Sequence, residues 1–473
     1  MASFIIRLRK SLLAVVVVVS VSLILYLQFL TLTRRLSPSP ESYAGFHFSD
    51  GSCDTNRAGR TNISHILFGL ASSSKTWQER RHYSELWWDH NTMRGYVWLD
   101  ENPPVNFSWP EKSPPYRVSQ DPASFRRAGE KSPAERIARI VKESFDLGLD
   151  DVRWFVMGDD DTVFFAENLV SVLARYDHRQ MYYVGGVSES VEQNLRHTYG
   201  MGFGGAGFAI SSALASELAK ILDVCIQRYP NFYGSDERIA AGVRGLGVPV
   251  TREHGFHQLD IRGDPFGLLA AHPLAPLVSL HHLDMVSTLF PNQTQLGSLR
   301  TLMGAYRVDP GRTLQQSFCH VQNRKWAVSV SWGYTVQLYP SLLSAPELVL
   351  PLQTFRTFHS RTDGPFMFNT RPWKSDPCER PVIYFLDQIE VGEGMTWTSY
   401  KRAAAELGGK CNQPAYNEAM DVERITVFAL KMGSEEWMKA PRRQCCEIES
   451  GGNIKRHMRL TVRSCKPGET MAA

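Results

Sequence analysis

An acidic triplet, Asp159-Asp160-Asp161, is the part of this chain best suited to chemistry. An apolar run that ends in a glycine (154–158) precedes it, and a second apolar run (163–165) follows it. A short apolar run bounded by a turn residue is typical of a buried strand. Side chains two residues apart in an extended chain point to the same side, so Asp159 and Asp161 should project together while Asp160 faces away.

Two carboxylates on one side of a strand end form a hard-oxygen site, which suits Mg²⁺ or Mn²⁺. Ligands of open α/β sheets bind at the carboxyl edge of the strands. The triplet therefore predicts a divalent cation that holds a diphosphate. The alternative is an ordinary acidic turn on the surface, and the apolar runs on both sides of the triplet argue against it.

The N-terminal segment predicts a membrane anchor. Residues 12–32 contain no charged side chain, and about 20 apolar residues suffice to cross a bilayer. The run is longer than the apolar part of a signal peptide and lacks a small-residue cleavage pattern, which favours a retained anchor over a cleaved signal. Three basic residues before the run and two after it favour a cytoplasmic N-terminus. We predict a type II protein with a cytoplasmic tail (1–10), one span (11–32), a Ser/Pro-rich stem (33–60) and a lumenal remainder.

The charge of the chain argues against a nucleic-acid partner. The net charge is +4, and subtracting the five basic side chains of residues 1–35 leaves −1 for the rest. Nucleic-acid-binding proteins usually carry a basic patch or stripe, and a near-neutral lumenal part does not predict one.

All eight cysteines follow the predicted span, and an even number in an oxidising compartment predicts disulfides. Five of them fall between residues 378 and 465, so the C-terminal region should be the most cross-linked. The adjacent Cys445 and Cys446 should pair with separate partners. Three glycosylation sequons, at Asn62, Asn106 and Asn292, agree with a lumenal location.

The lumenal chain divides by pattern into two predicted domains. Residues 61–305 alternate strand-like runs with amphipathic helical segments, which predicts an α/β domain with a mostly parallel sheet and helices on both faces. From residue 306 the helical signals become rare, and residues 326–332 alternate with period two. We predict a β-rich C-terminal domain over 306–473.

Two further segments could take part in a site. Residues 200–207 hold five glycines, which permit close backbone approach to a ligand, although an ordinary loop before a helix is an equal alternative. In the segment 233–238, Asp236 is either a functional acid or a simple helix cap.

Taken in order, these segments resemble the Fringe-like β-1,3-glycosyltransferases, that is, glycosyltransferase family 31, whose fold is the Rossmann-like GT-A fold. The resemblance to Fringe covers residues 61–285. It is closest to a plant branch formerly catalogued as a domain of unknown function (DUF604), which Leu-Trp-Trp at 86–88 and Met-Arg-Gly at 93–95 also resemble. The ordered motifs are F-V-M-G-D-D-D-T (155–162), G-G-A-G-F-A-I-S (204–211), Y-G-S-D-E (233–237) and G-F-H-Q (255–258).

The resemblance implies roles for individual residues. The acid triplet 159–161 matches the family motif that binds a Mn²⁺ nucleotide-sugar, with Asp159 and Asp161 on the metal and Asp160 near the nucleotide. Asp236 matches the catalytic base, although Ser235 stands where the family has a first acid. His257 matches the metal-binding histidine, and the pair His281-His282 is a rival for that role.

Nucleotide-binding residues also follow from the resemblance. They are Ser72, Ser73 and Arg81, at the junction of the first strand and helix, and Gly205 and Gly207 in the glycine segment. The implied cofactor is Mn²⁺ or Mg²⁺, and the donor is a UDP-sugar.

The implied activity is transfer of a hexose or N-acetylhexosamine to a hydroxyl of a glycan or glycoprotein in the Golgi lumen, with inversion and in β-1,3 linkage. The alternative is a catalytically silent sugar-binding or scaffold protein with the same fold. A Ca²⁺-binding adhesion module would be all-β, which the α/β alternation around Asp159 disfavours. A metal-dependent hydrolase would need a pattern such as H-E-x-x-H or a nucleophile elbow, and the sequence contains neither.

Overall fold

The computed structural model describes residues Ser22, Leu23, Tyr26, Gln28, 59–120, 133–403, 411–449 and 456–471. The predicted tail 1–10 lies outside the described residues, as do most of the predicted anchor 11–32 and nearly all of the predicted stem 33–60. No helix in the described part of the chain has the length and apolar composition of a membrane span. Residues Thr61–Ala473 form one compact unit.

A seven-stranded sheet carries the α/β part of this unit. Its spatial order is β3-β2-β1-β4-β7-β6-β8, and β7 is antiparallel to both of its neighbours while the other neighbouring pairs are parallel. The strands are β1 (Ile66–Ala71), β2 (Arg94–Leu99), β3 (Tyr116–Val118), β4 (Trp154–Asp159), β6 (Tyr183–Gly185), β7 (Phe208–Ser211) and β8 (Val250–Arg252). The mostly parallel sheet confirms the prediction from the alternating pattern.

Helices accompany these strands along the chain. They are α1 (Trp77–Ser84), α2 (Pro133–Phe145), α3 (Ala166–Leu173), α4 (Val191–Arg196), α5 (Ser212–Arg228), α6 (Ser235–Gly245), α7 (Phe266–Leu269) and α8 (Gln295–Val308). The helices α2, α5 and α6 pack against one another, and α2 and α5 cover β4 on one face of the sheet. The predicted domain boundary at 305/306 falls within α8.

The two faces of the central strands are filled differently. At Gly69 an added Cβ would lie 2.8 Å from the sulfur of Met157 and 3.1 Å from Ile140 of α2, so only glycine fits where this helix packs. The ring of the neighbouring residue, Phe68, contacts the rings of Trp87 and Phe164, and its centroid lies 5.2 and 5.6 Å from theirs. Aromatic burial of this kind is a large share of core stability, and here it fixes the region just beneath the acidic triplet.

A small sheet lies beside the end of β4. It has the order β5-β11-β9, with β5 (Val163–Phe164) antiparallel and β9 (Phe256–His257) parallel to β11 (Ser279–Leu280). This sheet brings the residues that follow β11 next to the acidic turn between β4 and β5.

The C-terminal part is a closed eight-stranded barrel. Its order is β12-β13-β14-β18-β19-β20-β22-β21. Its strands are β12 (Gln316–Val321), β13 (Trp326–Ser331), β14 (Thr335–Tyr339), β18 (Val382–Val391), β19 (Met395–Arg402), β20 (Arg424–Leu430), β21 (Cys445–Ile448) and β22 (His457–Arg463). The prediction of a β-rich region after residue 306 is thereby confirmed.

Short elements lie between these longer ones. They are β10 (Ile261–Gly263), β15 (Leu352–Gln353), β16 (Phe355–Thr357), β17 (Arg371–Pro372), α9 (Ala345–Leu348) and α10 (Pro414–Met420). The antiparallel pair of β10 and β16 joins the segment after β9 to the segment before β18.

Disulfides cross-link this C-terminal part, as predicted. The pairs are Cys319–Cys446, Cys378–Cys411 and Cys445–Cys465, so the adjacent Cys445 and Cys446 do bind separate partners. Cys225 is a buried free thiol in α5, and Cys53 lies outside the described residues.

Candidate metal centre

The acidic triplet forms a tight turn at the carboxyl end of β4. The turn is closed by a hydrogen bond from Thr162 N to Asp159 O (3.1 Å), and Asp159 N donates to Thr162 Oγ1 (2.8 Å). Asp160 and Asp161 are only 4 and 5% exposed. The triplet therefore forms a turn and is not extended. Asp159 and Asp161 nevertheless contact one set of side chains, and Asp160 contacts a different set.

His281 completes a cluster with these two carboxylates. Its Nε2 atom lies 3.1 Å from Asp161 Oδ1 and 3.8 Å from Asp159 Oδ2. One ligand atom from each of Asp159, Asp161 and His281 lies within 4.8 Å of the other two, a spacing that could hold a metal ion. His281 reaches this position because it directly follows β11, whose partner β5 directly follows the acidic turn.

The charge and the unpaired atoms of the cluster fit a divalent cation. Asp161 Oδ1 has its ion-pair contact but no hydrogen bond, and His281 Nδ1 has no hydrogen-bond partner among the described residues. Carboxylate oxygen together with imidazole nitrogen is a donor set that Mn²⁺ accepts, whereas Mg²⁺ prefers oxygen. Buried atoms without partners are rare in native proteins, so their concentration here indicates a ligand site.

Burial and neighbouring charges shift the pKa of each of the three side chains in the cluster. Burial raises the pKa of Asp159 to about 7, helped by the nearby carboxylates of Asp161, Asp160 and Asp236. Burial also raises the pKa of Asp161, but the charges of His281 and Arg80 outweigh it and hold that pKa well below its usual range. Burial lowers the pKa of His281, and the Asp161 charge more than offsets this and raises it to about 9. Carboxylates that crowd one buried site in this way favour a cation among them.

The third acid of the turn faces the first strand and helix. Asp160 accepts hydrogen bonds from Ser72 Oγ (2.7 Å) and from Arg80 (3.1 Å). Arg80 also lies 3.5 Å from Asp161. Ser72 comes immediately after β1, where Ala71 pairs with Asp159, so both segments leave the sheet at the same edge. The structure thus brings the predicted Ser72 to the acidic turn.

Two other predicted residues of this region point elsewhere. Ser73 Oγ donates to Asp100 (2.9 Å), which follows β2 at the same edge of the sheet. Arg81 forms an ion pair with Glu85 at 2.5 Å, one helical turn further on. Consecutive helical residues are about 100° apart, so Arg80 faces the acids and Arg81 does not. Arg80, and not Arg81, contacts the acidic turn, and nucleotide binding by Arg81 stays a prediction.

The glycine segment packs against the metal centre. An added Cβ at Gly205 would lie 2.1 Å from the His281 ring, and one at Gly207 would lie 2.6 Å from the Phe164 ring. Gly207 also has a positive φ of 80°, which favours glycine. Thr162 Oγ1 donates to Gly205 O (2.7 Å) and so ties the segment to the acidic turn.

Gly205→Ala should weaken metal binding without unfolding the chain. The new methyl group must displace the His281 ring, because no other atom approaches it so closely. We expect Mn²⁺ affinity, measured by calorimetry, to fall about 10- to 100-fold, the range seen when the positioning of metal ligands is disturbed. Gly245→Ala is the matched control, since an added Cβ there meets nothing within 4 Å. Equal affinity of the Gly205 variant and wild type would contradict the role given to His281.

Asp236 lies in the first turn of α6 and faces the glycine segment. Its Oδ2 accepts from Gly204 N (3.0 Å) and its Oδ1 from Glu237 N (2.9 Å). Burial raises the pKa of Asp236, and these backbone donors oppose the shift. The Asp236 charge in turn contributes to the raised pKa of Asp159, so the two carboxylates share one electrostatic environment. A cavity of about 20 Å³ lies nearby; Asp159, Gly204 and Ser235 line it together with mostly apolar side chains, and Asp236 is not part of its lining.

His257, the histidine that the resemblance assigned to the metal, is not in the cluster. It sits on β9, and its Nδ1 lies 3.2 Å from Glu189 Oε1, while its ring packs on His272 with centroids 4.9 Å apart. His282, the other rival, pairs with Asp260 at 3.0 Å and has a left-handed backbone conformation (φ 51°). Among the described residues the cluster contains His281 and not His257, because β9, which carries His257, is separated by β11 from the strand β5 that follows the acidic turn.

The two histidines should respond differently to substitution. His281→Ala removes a ligand atom from the centre, and we expect Mn²⁺ affinity to fall at least about 10-fold. His257→Ala is the matched control; it should lower the melting temperature, because Glu189 loses its buried partner, and leave Mn²⁺ affinity within about twofold. The reverse pattern would restore His257 as the ligand.

The fold and the site together define a mixed α/β protein with a C-terminal barrel and a buried acidic cluster at the edge of its main sheet. The chain belongs to the DUF604 family: the model of that family, described as a protein of unknown function, matches residues 193–446, more than half of the chain. The matched range includes Asp236, His257 and His281, and the acidic turn precedes it. No curated protein matches the chain.

Proposed function

We propose that this chain is a metal-dependent, inverting glycosyltransferase of the Fringe-like class. It would transfer a hexose or N-acetylhexosamine from a UDP-sugar to a glycan hydroxyl, in β-1,3 linkage, as a type II protein of the Golgi membrane. The observation that carries the proposal is the cluster of Asp159, Asp161 and His281 at the carboxyl end of a parallel strand, with the half-buried Asp236 in the same electrostatic environment. This edge of an open sheet is where α/β folds bind nucleotides.

The residues divide the chemistry between them. A bound Mn²⁺ or Mg²⁺ would offset the charge that develops on the departing diphosphate. Asp159, Asp161 and His281 would hold that ion, and Arg80, whose side chain is 39% exposed, would lie close enough to add a second positive charge.

Asp236 would act as the general base. The two backbone N–H groups that bind its oxygens fix the carboxylate and favour its charged form. It would accept the proton of the acceptor hydroxyl as that oxygen attacks the anomeric carbon and the diphosphate leaves from the opposite face. A single displacement inverts the configuration and requires one base only.

The ion pairs of Arg80 favour a second candidate function, that of a catalytically silent sugar-binding protein. The Arg80 guanidinium contacts Asp160 at 3.1 Å and Asp161 at 3.5 Å, so it could neutralise the acids in place of a metal. Ser235, where the Fringe-like motif has an acid, points in the same direction.

A donor screen separates the two candidates. The purified full-length chain in detergent is incubated with Mn²⁺ and a panel of UDP-sugars, and released UDP is measured. We expect one donor to be cleaved slowly in water, with the activity lost on chelation and restored by Mn²⁺. Binding of UDP without cleavage of any donor, even in the presence of glycan acceptors, would contradict the enzyme and support the silent protein.

A further inference from the structure

A second, much larger cleft lies where the barrel meets the α/β part. Its volume is about 860 Å³, within the range of about 300–1,000 Å³ typical of ligand sites. Aromatic residues are part of its lining. Trp373 and Phe385 are half-buried, whereas Phe266 and Phe355 are 2% exposed and pack on other rings. Aromatic faces with a few polar groups between them are typical of sites that bind the apolar faces of ring-shaped polar ligands.

Positive charge is concentrated on one side of the cleft. Arg380 and Arg402 both line it, and among the described residues neither has a carboxylate at ion-pair distance. Tyr416 lines the cleft together with both of these arginines. A third arginine of the lining, Arg356, is 3.7 Å from Asp363. Arg380 donates to the backbone oxygens of Lys374 and Ser375, and Arg402 donates to that of Met420, so only their remaining N–H groups can bind an anion. Asp264 is a carboxylate of the same lining, and arginine suits a planar carboxylate ligand best.

A disulfide holds this side of the cleft together. Cys378 lies between Trp373 and Arg380 and is bonded to Cys411, three residues before α10 carries Tyr416. Within the loop, Arg380 donates to Lys374 O (2.6 Å) and Ser375 O (3.0 Å), and its guanidinium lies over the Trp373 ring at 5.0 Å. The aromatic and cationic groups are thus fixed before any ligand arrives, which reduces the entropy lost on binding.

A short strand leads from this cleft to the metal centre. Phe355 lines the cleft, and three residues later Phe358 stacks on His282, with centroids 5.0 Å apart and planes 8° from parallel. His282 in turn packs on His281, with centroids 4.0 Å apart. Three residues of extended chain span about 10 Å. The ring contacts of 5.0 and 4.0 Å continue this path to His281, so an oligosaccharide is long enough to extend from one site to the other.

We propose that this cleft binds the acceptor, and that the acceptor is an oligosaccharide bearing carboxylate groups, of the uronic-acid type. Its sugar rings would pack on the aromatic side chains of the lining, with a carboxylate on Arg380 and Arg402 and the reacting hydroxyl at the metal centre. The assignment of this ligand as acceptor rests on the proposed function; the binding of the acidic oligosaccharide does not.

Calorimetry with the full-length chain tests the binding. The probe is tetragalacturonate, its fully methyl-esterified form is the neutral control with the same rings, and tetraglutamate represents an acidic peptide. We expect the acidic oligosaccharide to bind at least tenfold tighter than the other two. Equal binding of the methyl ester, or tighter binding of the peptide, would overturn the proposal.

Variants assign the binding to the cleft. Arg402→Gln and Arg380→Gln should each weaken tetragalacturonate binding at least tenfold, while Arg380→Lys keeps the charge and should lose less. Arg459→Gln on the exposed outside of β22 is the matched control and should bind as wild type. A melting curve shows whether each variant is folded, and a folded Arg402→Gln with unchanged affinity would refute the site. The binding measurement needs no donor and no metal, so failure of the transferase activity alone would leave the cleft proposal standing.

Discussion

Asp161→Ala is expected to abolish metal-dependent donor binding. The substitution removes one ligand atom and leaves His281, with its raised pKa, and Arg80 without the carboxylate between them. We expect Mn²⁺ affinity to fall at least about 100-fold, because loss of a ligand should exceed the 10- to 100-fold effect of outer-shell changes. Affinity for UDP in the presence of Mn²⁺ should fall with it, as calorimetry would show.

The control for this experiment is Asp150→Ala, which removes an exposed carboxylate from the loop before β4. It should leave both affinities unchanged. The affinity of the Asp161 variant for UDP in the absence of metal should also match that of wild type. If the variant bound UDP with Mn²⁺ as tightly as wild type, the acidic turn would have no part in holding the donor.

Asp236→Asn is expected to stop sugar transfer while leaving donor binding intact. Asparagine has the same shape but cannot take a proton, and the loss of a general base typically lowers the rate about 10²- to 10⁴-fold. Its amide oxygen can still accept from one of the two backbone donors, at Gly204 and Glu237, so the fold should tolerate it. Turnover and UDP binding are measured on the same preparation, and full turnover by the variant would remove Asp236 from the reaction.

The pH dependence of the transfer rate is a second test of the role of Asp236. Burial raises the pKa of Asp236, and a base acts only when it is deprotonated. The rate should therefore fall as the pH decreases through a pKa higher than that of an exposed aspartate. Saturating Mn²⁺ is needed, because burial raises the pKa of metal-free Asp159 to about 7 as well. The residual activity of Asp236→Asn should lack this acid limb.

The strand that carries the acidic turn could be predicted because its signals are local. An apolar run, a glycine and three acids specify β4 and its end without reference to the rest of the chain. The sharing of one side by Asp159 and Asp161 was predicted correctly for an extended chain, whereas the structure achieves it through a turn closed by Thr162. The local pattern gave the position of the site and missed its conformation.

The histidine of the site could not be predicted by the same means. His257 ends one short strand and His281 directly follows another, and only the arrangement of a three-stranded sheet decides which one reaches the acids. That arrangement depends on segments more than a hundred residues apart. Gly205 can be linked to this histidine only once the structure is known. Its lack of a side chain leaves room for the His281 ring.

The barrel shows the same limit on a larger scale. The alternation over 326–332 correctly predicted β13, which the structure places at Trp326–Ser331. Closure, however, depends on the parallel pairs β12 with β21 and β20 with β22, which join distant parts of the chain. The single antiparallel strand β7 in the main sheet was likewise not visible in the sequence, because its apolar run reads like that of a parallel strand.

Anomalous diffraction from crystals grown with Mn²⁺ and UDP is the most direct test of whether the acidic turn holds the metal and the donor. We expect a manganese peak in contact with Asp159, Asp161 and His281 Nε2, with the diphosphate on the ion and the Asp236 carboxylate facing the same cavity. A peak held by His257, or UDP bound away from the end of β4, would contradict it.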